Sequence, residues 1–151
     1  SNIAQKGDAS VLAAALENMP GVRNVYVAAA QGTPVLLPAL AGNEAGQIEQ
    51  KIDVKPGDKI SFATMFGYSN DWFFSFGGDG VDAGTTGDLS DKVMLFDDGT
   101  AVDQFPGAGN SQAAFGGAAS TPESKPVDAI SDTYPVPAVK DIIRVSIMNK
   151  N

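Results

Sequence analysis

Alternation of apolar and polar positions marks four stretches of this chain as strands. Residues 47 to 54, QIEQKIDV, place Ile48, Ile52 and Val54 on one face and Glu49, Lys51 and Asp53 on the other. Residues 59 to 66, KISFATMF, follow across Lys55-Pro56-Gly57-Asp58, which has Pro and Gly where a type II turn wants them. The two runs therefore predict a hairpin. VRNVYVAAA, 22 to 30, predicts an earlier strand, and DIIRVSIM, 141 to 148, a closing one. KVMLF, 92 to 96, is a short apolar run that stops at Asp97-Asp98-Gly99. The aromatic run WFFSF, 72 to 76, reads as core and strand.

One stretch has helical character. Asp8 is placed to cap ASVLAAALEN, residues 9 to 18, before Pro20-Gly21 stops it. Val11, Leu12, Ala15 and Leu16 give this helix an apolar face. Residues 31 to 46 carry two prolines and read as loop or edge, 77 to 87 as a Gly/Asp/Thr loop, and 99 to 138 as a long ordered loop. Seventeen Gly and nine Pro favour short strands joined by turns. The pattern predicts one domain over residues 1–151, an antiparallel β-sandwich with one short N-terminal helix.

Charge sharpens this picture. Eight aspartates from Asp71 to Asp103 face a single Lys92, so most of the net charge of −8 falls in that interval. Nucleic acid is a poor partner for such a surface, because phosphate contacts need clustered Lys and Arg. No stretch approaches the length of a membrane span. The chain has no Cys and no His, which removes thiol catalysis, Ser-His-Asp triads, disulfides and nearly every zinc site. Aspartates gathered in loops suit a hard divalent cation, and equally a solvated acidic surface.

Asp71 interrupts an apolar run, between Phe66 and Trp72-Phe73-Phe74. A buried, unpaired carboxylate is costly, so Asp71 is expected either in water at a strand end or beside a positive partner. Asp71 and Asp97 each follow a predicted strand, and strand-end loops collect at the ends of a sandwich. Together with Asp103 they are the candidate metal ligands. The spacing DDGTAVD is not an EF-hand loop, and Asp-Gly also forms tight turns without any ligand. A carboxylate pair also admits a glycosidase, which the low aromatic content argues against.

Taken in order, PGDKISFATMFGYSNDWF, LFDDGT, PGAGNSQA and YPVPAVKDIIRVSI resemble the spondin domain in its bacterial form. The resemblance runs from about Gly7 to Ile147. It implies a β-sandwich similar to C2 domains, with calcium at one end. The Asp of the family's Ser-Pro-Asp-Trp motif corresponds to Asp71, and the first acid of its Asp-Ala-Gly-Thr-acid motif to Asp97. The last acid of that motif falls on Ala101, with Asp103 two residues on as its substitute. Glu49 is a further, loosely aligned ligand. One carboxylate fewer implies a weak calcium site or an empty one.

The resemblance implies a non-enzymatic binding or adhesion module that is secreted, periplasmic or at the cell surface. Its expected partner is a protein or a glycan. Family members carry strands ahead of the helix, whereas this chain begins almost at it. The implied loss of the first strand or strands leaves a sheet edge open, an invitation to a homodimer. The alternatives are a calcium-dependent C2-like module for membranes or carbohydrates, and a hydrolase built on Asp71 and Asp97.

Overall fold

The computed structural model describes residues 2–28, 47–112, 115–130 and 134–150. Strands in antiparallel sheets dominate, accompanied by a few short helices. Two helices come first, α1 (Asn2–Lys6) and α2 (Ser10–Glu17). Then follow β1 (Lys59–Ile60), β2 (Ala63–Met65), β3 (Trp72–Phe76), β4 (Val81–Asp82), β5 (Gly87–Asp88) and β6 (Val93–Asp97). The chain closes with β7 (Asp128–Ala129), α3 (Val139–Ile142) and β8 (Ser146–Ile147).

The main sheet has the order β2-β3-β6-β7, and β1-β4 and β5-β8 form two small sheets. At its centre β3 and β6 run antiparallel, with Trp72 opposite Asp97, Phe74 opposite Leu95 and Phe76 opposite Val93. Strand periodicity puts these six residues on one face, and all six are buried. On the other face Phe73 stacks on Phe96, ring centroids 5.5 Å apart. Phe66, Val81 and Leu89 complete the buried cluster, and Ile143, Val145 and Ile147 pack against it. Burying side chains of this size stabilises by roughly 1.5–3 kcal/mol each, so the β3–β6 pair is the frame on which the rest is hung.

Several expectations are corrected. The turn at Pro56-Gly57 forms, closed by Asp58 N–H donating to the Lys55 carbonyl at 3.0 Å, but no hairpin follows. Residues 47 to 54 form no strand, and β1 pairs with β4 instead. Arg23 holds this region by its side chain, donating to the Asp53 carbonyl at 2.9 Å and pairing with Asp58. Residues 22 to 28 likewise form no strand, and the rest of that predicted element, with the stretch 31 to 46, lies outside the described residues. A period of two identifies a face but not a partner, and here side-chain anchors satisfy the backbone in place of a ladder.

The predicted helix forms as α2, with the Asp8 carboxylate accepting from Ser10 N–H at 2.9 Å. It is the longest helix among the described residues, yet α1 and α3 were not expected. Nor is its apolar face core: no residue of α2 is buried, and Val11 is 62% exposed. The predicted closing strand shrinks to β8, because residues 139 to 142 take a helical turn.

Candidate metal centre

The site is built where β3 begins and β6 ends. Their antiparallel register brings Asp71, just ahead of β3, to the same end as Asp97, the last residue of β6. Asp98 N–H donates to the Asp71 carbonyl at 3.1 Å, extending the pairing by one step. Asp97 lies on the core face because it continues the series Val93, Leu95. It is therefore 9% exposed although it is charged.

Ser69 shapes the turn that delivers Asp71. Its hydroxyl donates to the Phe66 carbonyl at 2.7 Å and accepts from Trp72 N–H at 2.9 Å. Ser69, Asn70 and Asp71 are all buried, at 0%, 2% and 0% exposure. Asp71 stands at a strand end as expected but not in water, and among the described residues no basic side chain supplies the positive partner that was the alternative.

Hydrogen bonds serve only one of its oxygens. Asp71 Oδ2 accepts from Thr100 N–H at 2.9 Å, Thr100 Oγ1–H at 3.1 Å and Ala101 N–H at 2.8 Å. Asp71 Oδ1 is buried and meets no donor, and neither does the adjacent Asn70 Oδ1. A buried oxygen without a partner costs about 1–3 kcal/mol, so a native structure that keeps one has a reason for it.

Asp103 completes a trio. Trp72 Nε1–H donates to its Oδ1 at 2.5 Å, and Tyr134 Oη–H to its backbone carbonyl at 3.2 Å. Asp71, Asp97 and Asp103 each offer a carboxylate oxygen, and these oxygens lie within 4.8 Å of one another, a cluster able to hold a metal ion. The three ligands expected from the sequence are therefore brought together. Glu49 is not: it is exposed and pairs with Lys150.

Electrostatics follow from this crowding. Burial pushes the Asp71 carboxyl above its ordinary value, against the pull of the Thr100 and Ala101 donors, and the charge of Asp103 adds to the rise. Asp97 is raised in the same way by burial, opposed by its bond from Gly99 N–H and assisted by Asp103, Asp71 and Glu123. Like charges with too little solvent are what a bound cation would relieve.

The rest of the acidic run is dispersed. Asp82 pairs with Lys59 at 2.7 Å, and Asp88 accepts from Ser90. Asp79, Asp82 and Asp91 line an open cleft with Lys59 and Lys92 beside Phe76, at the other end of β3. Opposite charges interleave there.

Three contributors were missed from sequence. Thr100 holds Asp71, and Gln5 of the unforeseen α1 donates to the Thr100 hydroxyl at 3.0 Å. Glu123 arrives from the supposed loop, through a ladder of backbone bonds to residues 99 to 102. The capping-type pattern Asp-Asp-Gly-Thr carried a signal for Thr100, since Asp-Gly turns present following N–H groups to nearby carboxylates. No local signal marks Glu123. Compared with protein-family models, with curated proteins and with solved structures, the chain matches none.

Proposed function

We propose that this protein is a calcium-binding, non-enzymatic module of spondin type. In this reading it is a C2-like β-sandwich that acts in binding or adhesion at the cell surface, in the periplasm or after secretion. One observation carries the proposal: Asp71 is fully buried with an unpartnered oxygen, in a trio of carboxylates that, among the described residues, no basic side chain pairs. All donors are hard oxygens, in a chain without His or Cys, which favours calcium or magnesium over zinc or copper. Calcium binds oxygen at about 2.3–2.6 Å, so two of its ligands lie at most roughly 5 Å apart. The trio fits within that envelope. The burial of Asp71 also supports the non-enzymatic reading, since a hydrolytic carboxylate must reach its substrate.

The test is calorimetric titration of the chelator-treated protein with calcium, and separately with magnesium. Calcium is expected to bind at one site per chain, and Asp71→Asn or Asp97→Asn to abolish the heat. Absence of binding at millimolar calcium would overturn the proposal, and unchanged affinity in both variants would overturn the site.

A specific observation favours a second reading, in which calcium bridges the protein to an anionic membrane. Val102, Phe105 and Phe115 are 46%, 46% and 54% exposed at the end of the molecule that holds Asp103. Phe105 packs edge-on against Tyr134, and Phe115 against Tyr68 of the turn that leads to Asp71. Calcium-dependent sedimentation with phosphatidylserine vesicles would establish this reading, and indifference to calcium would remove it.

A further inference from the structure

We infer that Glu123 is a fourth acidic ligand of the cation site and that Lys125 is the internal cation with which the metal competes for it. This rests on the calcium reading above. The chain returns to the site along a short ladder in which Val102 N–H donates to the Thr121 carbonyl at 2.9 Å, Glu123 N–H to the Thr100 carbonyl at 3.1 Å and Lys125 N–H to the Gly99 carbonyl at 2.9 Å. Ala101 bridges to Pro122 within it. Glu123 is thereby fixed opposite Thr100, the residue whose N–H and hydroxyl hold Asp71.

The two oxygens of Glu123 have different fates. Oε2 pairs with Lys125 Nζ at 2.7 Å, whereas Oε1 is buried and meets no donor. The Glu123 side chain is only 13% exposed, against 59% for Lys125. An exposed surface pair does not need a buried carboxylate, and a lysine left in water gains little from holding one. Asp71 Oδ1 presents the same condition, buried and without a donor. The charge of Glu123 is felt at Asp97, and Lys125 is held protonated by Glu123 together with Asp103 and Asp97. Glu123 is not one of the three acids whose oxygens lie within 4.8 Å of one another, and in this inference its ligation draws the carboxylate towards the trio at the expense of its pair with Lys125. Ala101, at the position where the resemblance asks for an acid, contributes only its N–H to Asp71. The acid is supplied instead from across the ladder.

The experiment is calcium titration of the wild-type chain and of Glu123→Gln, Glu123→Asp and Lys125→Met, at physiological salt, with folding checked by circular dichroism. Glu123→Gln is expected to weaken binding by about tenfold or more, the scale on which acidic partners of a metal act. Glu123→Asp keeps the charge but withdraws the oxygen, and is expected to recover only part of the loss. Lys125→Met, at an exposed side chain, removes the competitor and is expected to tighten binding. Wild-type binding with Glu123→Gln within twofold of it would overturn the inference. So would full recovery in Glu123→Asp, which would mean charge acting at a distance. Should Glu123→Gln fail to fold, unchanged affinity in Lys125→Met would overturn it. A wild-type chain that binds no calcium would bring down the calcium reading and this inference together, a result distinct from all the others.

Discussion

Asp71 carries its charge where water does not reach, and the consequence is a stability that depends on pH in an unusual direction. Its carboxyl, like that of Asp97, is raised above the ordinary 3.8 by burial. The folded chain therefore holds these protons more tightly than the unfolded chain does. Stability is then greatest below the raised values and falls as pH climbs through them. In chelator, the melting temperature is expected to rise as pH is lowered from neutral towards 3.8. Below that value the acids with lowered pKa, Asp58 beside Arg23 and Asp88 beside Ser90, reverse the trend. Saturating calcium should invert the upper limb, because protons then compete for the ion's oxygens. Asp71→Asn keeps an acceptor for the Thr100 and Ala101 donors and replaces the unpartnered oxygen with an amide. In chelator it is expected to be more stable than wild type by about 1–3 kcal/mol, read by urea unfolding. A less stable variant would show that the carboxylate is already satisfied without a cation.

At the scale of elements, the turn Asp97-Asp98-Gly99 couples β6 to the ladder that carries Glu123. Gly99 has φ +67°, and a Cβ there would collide with the Lys125 backbone carbonyl. Gly57 also has positive φ, but open space surrounds it. Gly57→Ala should therefore cost only the conformational penalty of a positive φ, about 1–2 kcal/mol. Gly99→Ala should cost more and also weaken calcium binding, since the ladder must shift. Equal losses in the two variants, with affinity intact, would uncouple the ladder from the site. The same elements show what could be read from sequence. Asp71 and Asp97 were legible because each follows an apolar run, and an antiparallel register brings such ends together, while Asp103 was legible from its place six residues beyond Asp97. The false hairpin arose because Pro56-Gly57 specifies a turn and not the strand that pairs after it. Glu123 was hidden because its placement depends on pairing across more than twenty residues of Gly-, Ala- and Ser-rich chain, where no periodicity reports the partner.

For the molecule as a whole, the site is continuous with the core. Trp72, the single tryptophan, is fully buried in the central strand, packs on Tyr134 at 6.1 Å between ring centroids and donates from its indole to Asp103. A cation drawing on Asp103 thus acts on the same residue that anchors the sheet. Binding should stabilise the whole fold and not a local flap. A ligand that binds only the native state adds RT ln(1 + [L]/Kd), about 2.7 kcal/mol at ~100 times Kd. Urea unfolding followed by Trp72 fluorescence is therefore expected to show one transition whose midpoint moves up with calcium. Its slope should not change, because the surface exposed on unfolding is the same with and without the ion. The native emission should also shift on binding, as the indole's partner changes its charge environment. A calcium-dependent slope, or a second transition appearing only with calcium, would mean that the ion orders a separate segment, and the site would then not be part of the β3–β6 frame.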